Sequence, residues 1–160
     1  MSTWITERLA REAAREDRHA VRVAQEQRDA LLVETLSGKF FSDAVRALRS
    51  EMSAISPLKL GGSVVEVASP LEGPQIYRLC ICCLGYSYRV QYATFQFDRP
   101  VRGPALFRLD DGANANIRLV AVNDSAIGAL WSLEQPPLSA ADLASAIVRN
   151  LVDQLKSECK

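Results

Sequence analysis

The sequence predicts an α+β fold: two N-terminal helices, a six-stranded antiparallel meander and a C-terminal helix packed on the sheet. Three observations carry this. Residues 3–36 contain no Pro or Gly and are rich in Ala, Arg, Glu, Gln and Leu, all strong helix formers. From Leu60 to about Leu133 the apolar residues follow a period of two, broken by closely spaced turn signals. The final stretch repeats Leu143, Ile147, Leu151 and Leu155 at helical spacing.

The first helix is expected to be a polar arm, residues 1–36, set against a single α+β body, residues 37–160. Its apolar stripe is thin, running from Ile5, Leu9 and Ala13 to Ala20, Val21 and Ala24, and it becomes rich only at Leu31, Leu32, Val33 and Leu36. Glu7 with Arg11 and Arg8 with Glu12 have the i,i+4 spacing of helix-stabilising pairs. A helix this polar does not suit a core. It projects, packs along one seam against a partner, or folds back over its own sheet. Glu16 and Gln27 interrupt the seam, so a clean heptad is absent.

"SGKFFS", residues 37–42, is read as a break, with Gly38 ending the first helix and Ser42 capping the second. In that second helix Phe41, Ala44, Val45, Leu48, Met52 and Ile55 form a wide apolar face that ends before Pro57. The expected strands are "SVVEVA", "QIYRLCICCL", "SYRVQYATFQF", "ALFRL", "NIRLVAV" and "GALWSL". Their short connections imply antiparallel pairing, because parallel neighbours need long crossovers. The last helix, about 139–157, opens on a capping sequence: Ser139 as N-cap, Asp142 three residues on, and Leu138 with Leu143 as a hydrophobic staple.

Composition narrows the functional classes. Apolar residues make up 48% and charged residues 24% of the chain, values of a globular domain and not of a disordered tail. The sequence has neither a long apolar run nor a leader-like h-region, so the expected setting is cytoplasmic, without a membrane. Basic and acidic groups balance at 19 and 19, and they balance again within residues 1–57, 58–136 and 137–160, which argues against nucleic acid as a partner.

The cysteine-rich stretch "IYRLCICCLGYSYRVQYATFQF", residues 76–97, has the geometry of a strand. Cys80 and Cys82 share one face, while Ile81 and Cys83 share the other. That arrangement suits neither a four-ligand zinc site nor a disulfide between neighbouring cysteines of the strand, so the expectation is free, packed thiols. Cys159 is expected to be the most reactive thiol. Tyr88, Val90 and Tyr92 fall on the face opposite Phe95 and Phe97, which predicts a bulge near Ala93 or cover on both sides.

His19, the only histidine, lies on the polar helix, far from any Ser or Cys pairing that would make a nucleophile. "SGKF" and "LGGSVV" lack the context of phosphate-cradling loops, and "DDGANAN" lacks the ligand spacing of a calcium loop. No catalytic, metal or cofactor-binding residue is assigned. The leading expectation is a non-enzymatic interaction module that binds itself or another protein through the N-terminal helix, with Trp4, Ile5 and Leu9 at its tip. A second is an apolar ligand held between the sheet and the last helix by Cys80, Cys82, Tyr88, Tyr92 and Trp131. A third is single-stranded nucleic acid on the aromatic strand region, near Arg78, Arg89, Arg99, Arg102 and Arg108.

Overall fold

A computed structural model describes residues 2–67, 74–84, 90–98, 106–131 and 134–158. One helix, α1 (Thr3–Ala54), leads through a short 3-10 turn (Ser56–Leu58) into β1 (Leu60–Val67). There follow β2 (Gln75–Cys83), β3 (Val90–Asp98), β4 (Leu106–Asp110), β5 (Asn114–Asn123), β6 (Ala126–Leu130) and α2 (Ala140–Glu158). The strands form one antiparallel sheet in the order β1-β2-β3-β4-β5-β6, the meander that the sequence predicts.

The two expected N-terminal helices are one. α1 runs unbroken through Gly38 and Ser42 for 52 residues. Glycine in a helix interior costs about 1 kcal/mol, whereas burying one large apolar side chain returns about 1.5 to 3 kcal/mol. Here Val33, Ser37, Phe40, Phe41, Ala44, Val45, Leu48 and Met52 keep one buried face across the glycine. Continuity of that face outweighs the local signal. Buried Ser37 is satisfied by donating its hydroxyl to the Glu34 carbonyl at 3.2 Å.

Alternation of side chains gives the sheet two unlike faces. Leu79, Ile81, Ala93, Phe95, Phe97, Phe107, Leu109, Ile117, Leu119 and Ala129 point inward and are buried. Phe41 of α1 lies over the middle of this face, with ring centroids 4.9 Å from Phe95, 5.2 Å from Phe107, 5.3 Å from Phe97 and 5.7 Å from Tyr77. α2 lies beside α1 on the same face, through Leu143, Ile147, Leu151 and Leu155, all fully buried. The Ser145 hydroxyl donates to Glu51 at 2.7 Å, joining the two helices. The predicted cap of α2 is present, since the Asp142 amide donates to Ser139 Oγ at 3.2 Å.

Two glycines mark close approaches. A side chain at Gly62 would meet Met52 Sδ at 2.7 Å, where the end of α1 crosses β1. At Gly128 a Cβ would meet Pro137 at 2.7 Å and Val122 at 3.0 Å, where the segment before α2 crosses β6 and pairs Leu138 with Ala129. The pairings of β3 run in continuous register and carry no bulge near Ala93. The register shift lies instead between Ala121 and Asn123 of β5. Phe95 and Phe97 point inward while Tyr92 points outward, so simple alternation accounts for the three.

Candidate functional site

Two surfaces are left uncovered by the packing of the described residues. The first is the N-terminal part of α1. From Ser2 to Leu32 no described side chain is buried, and burial begins at Val33. Thirty residues of helix reach about 45 Å at 1.5 Å per residue, the width of a small domain. Local pairs support it: Arg8 Nε lies 3.3 Å from Glu12, Arg22 Nε lies 3.9 Å from Glu26, and Gln25 donates to Asp29 at 2.8 Å. The expected Glu7–Arg11 pair is not among the ion pairs of the described residues. Such exposed pairs contribute only about 0.2 to 0.5 kcal/mol each.

Of the residues expected at the tip, Trp4 is 62% and Leu9 53% exposed, while Ile5 is half-buried. Farther along, Val21 and Leu31 are also exposed. At 100° per residue, Ile5, Leu9, Ala13, Ala20, Val23, Ala24 and Leu31 share a sector of about 100°. Glu16 lies inside that sector.

The second surface is the outer face of the sheet. Ser63, Cys80 and Tyr92 are successive cross-strand partners on β1, β2 and β3. Cys80 and Cys82 are free and half-buried, and Tyr92 is 59% exposed. All three point away from α1 and α2, so they do not face the space between sheet and α2 in which an apolar ligand is expected. Trp131, just after β6, packs against the core. Tyr88 lies outside the described residues, as do Arg89, Arg99 and Arg102. Arg78 and Arg108 are exposed on this outer face, and Arg108 Nε lies 3.7 Å from Asp98.

The thiols follow the two faces. Burial, and then the neighbouring Cys82, push the Cys80 thiol above its usual pKa, and a hydrogen bond with Ser63 offsets part of this. A raised pKa leaves Cys80 protonated at neutral pH, which is the opposite of an activated nucleophile. Cys83 is not free, as the sequence predicts, but disulfide-bonded. The expectation weighed only neighbours along the strand, whereas alternation turns Cys83 inward, away from Cys80 and Cys82, toward other parts of the chain. Its partner lies outside the described residues, where the expectation for Cys159 also falls. Alkylation of the unfolded, unreduced chain is expected to modify Cys80 and Cys82 and to spare Cys83 until a reductant is added. Peptide mass spectrometry reads this directly, and a Cys83 labelled without reductant would contradict the bond.

Among the described residues no group of three or more His, Cys, Asp or Glu side chains is placed to hold a metal ion. No helix among them is long and apolar enough to cross a membrane. No protein-family model, curated protein or solved structure matches the chain.

Proposed function

We propose that the protein is a non-enzymatic assembly module whose α1 arm pairs with a second copy of the chain. The observation that carries this reading is the continuity of α1: a helix with no fully buried side chain before Val33 is fused without a break to the stretch that forms the core. An isolated polar helix has little stability of its own, and association supplies the missing burial.

The seam supports a copy of itself as the partner. Residues 3–30 carry six acidic and six basic side chains, so two arms meet without net repulsion. Alanine at positions 13, 20 and 24 permits close approach of two backbones. In an antiparallel pairing centred near residue 18, Ile5 faces Leu31, Ala13 faces Val23, and Glu16 faces Ala20 instead of a second carboxylate. The two bodies then sit at opposite ends of the paired helices, clear of each other.

The test is the subunit number of the full chain and of a chain starting at residue 25, measured by light scattering at matched concentrations. The full chain is expected to be a dimer and the shortened one a monomer that still unfolds cooperatively. A full chain that is monomeric at high micromolar concentration overturns the reading. So does a shortened chain that fails to fold, because the arm would then belong to the core.

A further inference from the structure

The neutral charge of the arm hides a segregation that appears only in three dimensions. Arg8, Arg11, Arg15, Arg18 and Arg22 follow one another at spacings of three, four, three and four residues. On an α-helix that pattern places five guanidinium groups within a sector of about 80°, along about 21 Å of one face. All five are exposed. Arg8 and Arg22 have carboxylates of the same helix nearby, whereas Arg11, Arg15 and Arg18 have no ion-pair partner among the described residues. The stripe lies opposite the apolar seam, on the side of α1 that enters the core farther along at Val33 and Phe40. Beyond the sheet, the helix turns arginines toward the space that the body leaves open.

We propose that this arginine face binds the phosphate backbone of duplex nucleic acid. The face carries charge and almost nothing else, since no apolar side chain interrupts it between Arg8 and Arg22. Protein interfaces draw their affinity from buried aromatic and apolar anchors, and the sector of the five arginines has one such residue, Trp4, 62% exposed and one turn before Arg8. Nucleic acid is the partner for which charge neutralisation alone supplies affinity, through release of counterions. Every basic group in the stripe is arginine, whose planar fork matches a phosphate in two hydrogen bonds. The rod itself, about 10 to 12 Å across with its side chains, fits a major groove about 12 Å wide. A membrane surface fits less well, because Glu16 and Gln27 interrupt the opposite seam and three of its seven apolar residues are alanine, leaving little to insert. The inference does not depend on the self-association proposed above, which uses the other side of the helix.

The experiment measures binding of the full chain to a labelled mixed-sequence DNA duplex of about two helical turns over a range of salt, alongside Arg11→Gln/Arg15→Gln/Arg18→Gln. Five phosphate contacts predict that a fourfold rise in salt weakens binding about 500-fold, and two contacts only about 10-fold. The triple variant, whose glutamines keep helix propensity, is expected to show the shallower dependence at unchanged subunit number and helix content. Absence of binding at low salt overturns the proposal, as does a triple variant that binds like the parent chain. Poly-glutamate bound with the same arginine dependence, and duplex left unbound, would assign the face to an acidic protein and overturn it equally.

Discussion

Phe41→Ala is expected to lower the unfolding free energy by about 3 to 5 kcal/mol, the usual cost of removing a buried phenylalanine. The ring is 1% exposed and touches residues on three strands: Tyr77 of β2, Phe95 and Phe97 of β3, and Phe107 of β4. These neighbours are themselves packed by other residues, so they cannot collapse into the void, and the cavity cost adds to the lost burial. With total stability of small domains at about 5 to 15 kcal/mol, the variant is expected near the limit of folding. Urea unfolding followed by circular dichroism measures it, with Phe41→Leu as the variant that keeps most of the volume and loses less. A loss below about 1 kcal/mol would mean that Phe41 does not sit in the core.

Asp111→Ala is expected to cost about 2 to 3 kcal/mol, from two part-buried amides deprived of an acceptor. Asp111 follows β4, and its Oδ2 accepts hydrogen bonds from Asn150 at 2.9 Å and Gln154 at 3.1 Å, both on α2. Gln91 of β3 completes the cluster, donating to Gln154 Oε1 at 2.9 Å. Its amide also reaches the Asp111 carbonyl at 3.4 Å. The turn draws on both acids, since Gly112 takes a φ of 108° and donates to Asp110 Oδ1 at 3.1 Å, while the Ala113 amide donates to Asp111 Oδ1 at 3.3 Å. Truncation at 111 therefore reports on the docking of α2 together with this one exposed turn bond. Asp111→Asn, which keeps one acceptor oxygen, is expected to lose less than half as much in the same denaturation experiment. Equal losses in the two variants would show that charge, and not the accepting geometry, holds α2.

These two residues also mark what was legible in the sequence. Every strand followed from alternation, and the cap at Ser139 fixed the start of α2 to within a residue. The assignment of Ile81 and Cys83 to one face and Cys80 and Cys82 to the other followed from the same period of two. Gly38 misled because a local stop signal was read without the continuing stripe from Val33 to Phe41, whose burial is a tertiary effect. The aromatic hub was visible as composition but not as a contact, since nothing local says that Phe41 meets three strands. Nothing in "DDGANAN" marked Asp111 as a docking residue, because its partners are 39 and 43 positions away.

For the candidate surfaces the lesson differs. The period of two set Cys80 and Cys82 on one face of β2 and Tyr92 opposite Phe95 and Phe97 on β3, yet which face the helices cover depends on packing that periodicity does not encode. The arginine stripe was present in the spacing of residues 8 to 22 all along. Counting charges along the chain averages it to zero, and only the helical period separates it from the intervening acids.

The junction between Glu51 and Ser145 spans 94 positions of sequence. α1 and α2 jointly roof the same side of the sheet, so the first and last described elements must meet before that side is dry. During synthesis the hairpins can form in order as each strand leaves the ribosome, because every pairing is between sequential neighbours. The phenylalanine face nevertheless stays only half covered until α2 emerges. From its first hairpin until α2 is made, a nascent chain is thus a half-roofed, sticky sheet, and its final folding step is a late closure that joins the two ends of the described fold.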